Sequence, residues 1–188
     1  MERGTTIASK RPKEEEQIRE AQQNPEKFRI LYEIHFKSIF LFVLKRVGGK
    51  EQTADITSQV FLKAFVNLEK YRFTAAPFSS WLYRIAINEC NEYFRRSHTE
   101  RQVLLNNTFA EELYVDMFNE DMLEELRAKL PYILEKLEVD EFQLIELRFL
   151  EGMSFREVGE ILDITESYAR VRTYRILEKL RKLFLKTS

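Results

Sequence analysis

Apolar positions recur at three- and four-residue steps through most of this chain, the period of helices that bury one face. From Phe28 the series runs through Leu31, Tyr32, His35, Ile39, Phe42 and Val43, and the Gly48–Gly49 pair stops it. Residues 1 to about 24, ahead of it, are polar and poor in apolar positions, and read as a mobile or weakly helical extension. A second series, from about Glu51 to Leu68, places Ala54, Thr57, Phe61, Ala64, Phe65 and Leu68 on one side and Asp55, Ser58, Gln59 and Lys63 on the other. The stretch YRFTAAPFSS breaks the pattern, because Pro77 lacks an amide hydrogen and biases its predecessor away from helix. SSWLYRIAINECNEYFRRS then resumes it, with Ser80 as the expected N-cap and Trp81, Ile85, Asn88, Glu92 and Arg95 on successive turns.

From about Ser97 to Asn119 no period is sustained, and the segment reads as a linker. A second helical unit follows. Its apolar positions are Leu123, Leu126 and Leu130, then Phe142, Ile145 and Phe149, then Phe155, Val158, Ile161 and Leu162, and finally Ala169, Thr173, Ile176, Leu180 and Phe184. Ser154 and Glu157 have the spacing of a capping box. Asp163 tolerates a left-handed backbone, and Thr165 is placed to cap the next helix. Two helices joined this closely pack at a steep angle and leave the start of the second projecting, which in DNA-binding versions enters the major groove. The outward side of that second helix carries Glu166, Ser167, Arg170, Val171, Tyr174 and Arg175, with Tyr168 and Arg172 beside them. Arginine forms paired hydrogen bonds to guanine edges or phosphates. A solvated basic face on a surface helix is the alternative reading of the same residues.

Composition narrows the fold. Among 188 residues, 5 glycines and 4 prolines are too few for a sheet protein rich in tight turns, so an all-α chain is expected. One cysteine, Cys90, excludes an internal disulfide framework. No stretch reaches the roughly 20 apolar residues of a membrane span, and the polar start lacks a signal-peptide core, so a cytoplasmic protein with no membrane insertion of its own is expected. The net charge of -1 conceals an uneven distribution. From Tyr168 onward Arg170, Arg172, Arg175, Lys179, Arg181, Lys182 and Lys186 face a single acid, Glu178, whereas Glu111, Glu112, Asp116, Glu120, Asp121, Glu124 and Glu125 make the preceding segment acidic.

One feature remains as candidate chemistry. Tyr71, Phe73, Phe78, Trp81, Tyr83, Tyr93 and Phe94 interleave with Arg72, Arg84, Arg95 and Arg96. Aromatic faces stack bases and arginines track a backbone, which is how single strands are held. A small helical unit also buries several such rings, and Tyr83 and Phe94 fit that role better. An enzyme is not indicated. The acids between Glu111 and Glu125 read as a solvated face, His35 and His98 form no metal set with Cys90, and no phosphate-cradling glycine loop is present, so no metal and no cofactor are expected. His35, on an apolar face, reads as a core histidine.

The segments LYEIHFKSIFLFVLKRVG, ADITSQVFLKAF, PFSSWLYRIAINECNEYFRR and LRFLEGMSFREVGEILDITESYARVRTYRILEKLR resemble, in this order, a bacterial RNA polymerase sigma factor of the extracytoplasmic-function group. That resemblance implies two small helical domains and no enzymatic activity: region 2 at 25–96, an acidic linker at 97–121 and region 4 at 122–188, after the extension at 1–24. It implies core RNA polymerase as partner, with promoter DNA bound as duplex at the −35 element and as a single strand at the −10 element, and control by an anti-sigma factor. Asp55, Ser58, Gln59, Val60 and Lys63 correspond to the polymerase-binding surface. Phe73, Phe78, Trp81, Arg84 and Asn88, with Arg72, Arg95 and Arg96, correspond to the −10 strand surface. Glu166, Ser167, Tyr168, Arg170, Val171, Arg172, Tyr174 and Arg175 correspond to the −35 reading helix. Several positions depart from the family pattern. Gln59 replaces the usual acid, Asp163 stands where glycine is common, Tyr168, Ala169 and Thr173 replace Thr, Val and Leu, and the extension has no counterpart. The competing reading is a conventional helix-turn-helix regulator, which would not need the region 2 block.

Overall fold

The structure, a computed structural model, describes residues 6–97, 113 and 123–186. Apart from Ser97 and Leu113, the expected linker lies outside these residues, together with His98 and the acids Glu111, Glu112, Asp116, Glu120 and Asp121. Among the described residues there are eight α-helices and no strand. The chain divides into two compact units, residues 1–103 and 104–188. Among the described residues no helix is long and apolar enough to cross a membrane.

The first unit contains α1 (Thr6–Gln23), α2 (Phe28–Val47), α3 (Lys50–Asn67) and α4 (Phe78–Ser97). The region expected to be a mobile or weakly helical extension contains α1, a helix anchored by the buried Ile18 and Ala21. These two sit at a three-residue step, so both lie on the side of an otherwise hydrophilic helix that packs against the rest of the unit. Asn24 then accepts a hydrogen bond from the Glu26 amide at 3.1 Å, and Pro25 opens the short 3₁₀ turn that leads into α2. Gly48, with φ of 79°, lets the chain leave α2 while its amide still reaches the Leu44 carbonyl at 2.9 Å.

The core of this unit joins Leu31, Ile39, Phe42 and Val43 of α2 to Ile56, Val60, Phe61 and Ala64 of α3 and Phe78, Leu82, Ala86 and Cys90 of α4. Each fully buried large aliphatic or aromatic side chain contributes about 1.5–3 kcal/mol. His35 is buried as expected, with Glu14 Oε1 3.0 Å from its Nε2 but outside hydrogen-bond geometry.

Three expectations are corrected here. The inner face of α3 runs through Ile56 and Val60 instead of Ala54 and Phe65, because the side of the helix carrying Ile56 and Val60 is the one packed against α2 and α4. Phe65 stays 44% exposed, edge-on to Phe28 at 5.2 Å. Val60, expected on the polymerase-facing side, is 0% exposed and belongs to that core. Helix α4 starts at Phe78, so Ser80 is not its cap; Ser80 is buried, and its amide donates to the Pro77 carbonyl at 3.0 Å.

The second unit contains α5 (Leu123–Leu134), α6 (Val139–Ile145), α7 (Phe155–Leu162) and α8 (Glu166–Lys186). A π turn, Glu146–Leu150, continues α6. The run Phe142 to Leu147 is buried on every side, so α6 and its π turn form the centre of the unit. Around it lie Leu130 and Ile133 of α5, Val158 and Ile161 of α7, and Ala169, Thr173, Ile176, Leu180 and Phe184 of α8. The α8 series is the stripe expected from its spacing.

The corner between α7 and α8 also forms as its residues predict. Ser154 and Glu157 make both bonds of the capping box. Asp163 takes the left-handed conformation at φ 59°, ψ 45°, and Thr165 Oγ1 accepts from the Tyr168 amide at 3.1 Å. Gly159 closes the corner: a Cβ there would lie 2.8 Å from the Ile164 carbonyl oxygen, inside contact distance. Gly159→Ala is therefore expected to cost about 1–3 kcal/mol through forced backbone displacement. Urea unfolding of the two proteins checks this, and an unchanged midpoint would mean that the corner yields without strain.

Candidate nucleic-acid interfaces

In the first unit the loop between α3 and α4 is built around Tyr71. Its ring lies 5.5 Å from Phe73, 5.1 Å from Phe78 and 5.1 Å from Trp81, with Phe78 and Trp81 5.4 Å apart. Edge-to-face geometry between Tyr71 and both phenylalanines is the arrangement aromatic quadrupoles favour. Phe78, expected on the strand-binding surface, is 1% exposed and underlies this cluster, because it is the first residue of α4 and points inward at His35 and Tyr71. Phe73 and Trp81 are half-buried and keep part of their surface outward. Arg72 is exposed and donates to the Glu69 and Tyr71 carbonyls at 3.1 and 3.2 Å.

From Trp81 the same side of α4 continues through the half-buried Arg84 and the exposed Asn88, Arg95 and Arg96. Arg95 and Arg96 both pair with Glu92, the latter at 2.6 Å. The hydrogen bond from Arg95, reinforced by Arg96, holds the Glu92 carboxylate below its ordinary range, with desolvation opposing. Tyr83, read as core, is buried edge-on to Phe42 at 4.9 Å, and Phe94 is half-buried beside Tyr93.

On α3, Asp55, Ser58, Gln59 and Lys63 are exposed on one face. Lys63 is ion-paired to Glu89 of α4, and Ser58 Oγ donates to the Ala54 carbonyl at 2.8 Å. The exposed Leu62 adjoins this face. Sequence reading assigned no role to α1, yet α1 supports the aromatic loop: Gln22 bonds to it and Arg19 lies over Phe73. In the sequence, Ile18 and Ala21 followed by the Asn24–Pro25 cap mark a helix here but not these contacts.

In the second unit Glu166, Ser167, Tyr168, Arg170, Val171, Tyr174 and Arg175 of α8 are all exposed. Tyr168, Val171 and Tyr174 are large apolar side chains left facing outward, at 49%, 49% and 56% exposure. The three arginines differ. Arg170 is held by Glu166 at 3.0 Å, with its guanidinium 5.2 Å from the Phe155 ring centre. Arg172 is half-buried and ion-paired to Asp140 of α6, and its Nη1 donates to the Tyr168 hydroxyl at 2.9 Å. That hydrogen bond is the main cause of its raised pKa; burial opposes it and Asp140 adds to it. For Arg175 the described residues offer no hydrogen bond or ion pair. Glu141 reaches Lys179 at 2.6 Å, so two first-turn acids of α6 secure α8 while its basic face stays outward. Between them a groove of about 430 Å³ is lined by Glu141, Ser167, Tyr168, Val171, Arg172, Arg175 and Ile176.

In the Asp140–Arg172 pair the carboxylate is 65% exposed, so the coupling is expected to be below about 1 kcal/mol and to shrink with added salt. A double-mutant cycle of Asp140→Ala and Arg172→Ala at two salt concentrations measures this. A large, salt-independent coupling would contradict the geometry.

Comparison with known proteins fits both units. Sigma-70 region 2 matches residues 31–100 and Sigma-70 region 4 matches residues 133–182. The chain is 26% identical over 154 residues to the ECF RNA polymerase sigma factor BldN of Streptomyces coelicolor, a match covering 81% of this chain and 58% of that protein. It is 27% identical over 164 residues to SigX of Bacillus subtilis, covering 84% of this chain and 83% of SigX. Among solved structures it resembles CnrH, in complex with the cytosolic domain of CnrY, with a TM-score of 0.60 at 21% identity over 93% of this chain and 99% of that one. It also resembles the sigma factor RpoE of Bartonella quintana, in complex with the anti-sigma factor NepR, with a TM-score of 0.55 at 15% identity over 86% and 98%. With one unit matching region 2 and the other region 4, this chain belongs to the sigma-70 family, in its ECF group.

Proposed function

We propose that this chain joins core RNA polymerase as an alternative sigma factor, brings it to particular promoters and helps open the −10 element. The observation that carries the reading is the coexistence, on one chain, of an exposed basic-aromatic helix and an aromatic loop set within a region 2 match. A conventional helix-turn-helix regulator needs only the first.

The division of labour follows from what each surface exposes. Asp55, Ser58, Gln59 and Lys63 meet the polymerase clamp, with Leu62 supplying apolar contact where Gln59 lacks the usual charge. Phe73 and Trp81 offer ring surface to a base taken out of the stack, supported from beneath by Tyr71 and Phe78, while Arg72, Arg84, Asn88, Arg95 and Arg96 follow the strand. Extruding a base costs a few kcal/mol, which stacking must offset. Arg170 and Arg175 read duplex edges at the −35 element, Glu166, Ser167, Tyr168, Val171 and Tyr174 border them, and Arg172 braces the helix through Asp140.

Polymerase supplies the catalysis, so the chain itself needs no cofactor, and it works in the cytoplasm. CnrH and RpoE were solved with CnrY and with the anti-sigma factor NepR. By extension, an anti-sigma factor covers these surfaces when transcription is not required.

Alone, the chain is expected to bind promoter duplex weakly, because two small modules gain avidity only when polymerase holds them at the right separation. Duplex affinity measured with and without core polymerase is expected to differ by about 100-fold or more. Equal affinity would favour the conventional regulator. Within the holoenzyme, Arg170→Ala or Arg175→Ala should weaken −35 binding by about 1–3 kcal/mol. Trp81→Ala should impair opening, seen by permanganate footprinting, while leaving affinity for core polymerase intact. Loss of folding by Trp81→Ala would assign that ring to the core instead.

A further inference from the structure

Helix α1 touches the aromatic loop through three contacts of different kinds. Gln22 Nε2 donates to the Leu68 carbonyl at 3.0 Å and to the Tyr71 carbonyl at 3.2 Å. The guanidinium of Arg19 lies 4.6 Å from the Phe73 ring centre. Ile18 is fully buried and borders a cavity of about 20 Å³ against Tyr71, Phe73 and Phe78. That volume holds about one water and no base, so α1 is packed onto the loop with little space to spare.

The Gln22 contact is the most informative. A side-chain amide has two hydrogens, and here each has its own carbonyl. The two carbonyls are three residues apart, at the start of the 3₁₀ turn Leu68–Lys70 and at the residue just after it. Holding both fixes the direction in which the chain enters the loop. The second belongs to Tyr71, whose ring contacts Phe73, Phe78 and Trp81. A loop that must receive a flipped base binds better when its geometry exists beforehand, since ordering it on binding opposes affinity.

We propose that α1 is a working part of the strand-opening site, with Gln22 and Arg19 as positioning residues for Tyr71 and Phe73. This rests on reading the loop as the −10 strand site. Gln22 sets the backbone of the loop's central ring, and Arg19 supports Phe73 from the α1 side through a cation–π contact. Neither is required to touch a base.

The test uses full-length protein assembled with core bacterial polymerase, on a promoter that the wild-type holoenzyme opens. Gln22→Glu keeps the side chain's size but turns the double donor into a carboxylate facing two carbonyls. Its affinity for the single-stranded non-template −10 oligonucleotide should fall about tenfold, and promoter opening with it. Arg19→Ala, at an exposed position that does not endanger folding, should lose about threefold. Affinity for core polymerase should stay near wild type in both, and the unfolding midpoint should stay near wild type for Arg19→Ala and fall modestly for Gln22→Glu, which remains folded at the assay temperature.

Strand affinity equal to wild type in both variants would overturn the proposal. So would a parallel fall in polymerase affinity, since α1 would then be serving the unit's general stability. If the wild-type protein opens no promoter, the functional reading fails and this proposal falls with it, an outcome distinct from variants that match an active wild type.

Discussion

The corner between α7 and α8 is the constraint on which the second unit's outward face depends. Gly159 brings the backbone of α7 against the Ile164 carbonyl, Asp163 reverses the chain in a left-handed conformation, and Thr165 restarts it. Once those three conditions are met, the rotation of α8 is no longer free. Ala169, Thr173, Ile176 and Leu180 must face the centre of the unit, and Arg170 and Arg175 between them must face away. The small Ala169 and Thr173 let α8 approach closely, and the Thr173 hydroxyl is satisfied within the helix at the Ala169 carbonyl, 2.8 Å away. Asp140 and Glu141 then secure the helix by charge without covering its outer face.

The first unit separates core from surface less cleanly. Its aromatic residues are too numerous for one role, and the packing sorts them. Phe42, Phe78 and Tyr83 are buried, whereas Phe73 and Trp81 stop halfway. Tyr71 joins the two groups, buried itself but in contact with both half-buried rings. Rings resting on a packed layer lose little freedom when a base stacks on them, which is how a core lends rigidity to a surface. The Gln22 and Arg19 contacts extend that layer to α1.

Much of this was legible in the residue pattern because helices announce their inner faces by period. The α8 stripe, the Ser154–Glu157 capping box, the left-handed Asp163 and the Thr165 cap all follow from local rules that do not need the partner helices. What the pattern could not supply was the choice among residues able to serve on either side of a boundary. Val60 lies beside exposed Gln59, and only the presence of α2 and α4 on its side makes it core. Phe78 follows Pro77 in a stretch of rings and arginines, and its inward direction is set by where α4 begins. The role of α1 was hidden for a different reason. Two apolar residues carry little periodic signal, while the decisive contacts, Gln22 to two carbonyls and Arg19 to a ring, leave none.

The central claim is that the two units work together on a polymerase, one on duplex and one on an opened strand. Run-off transcription with core bacterial polymerase on a library of genomic promoters, with and without this protein, tests it most directly. The account predicts new, discrete start sites that appear only with the protein and share two upstream elements at a fixed spacing. No new starts, together with tight duplex binding by the protein alone, would contradict it.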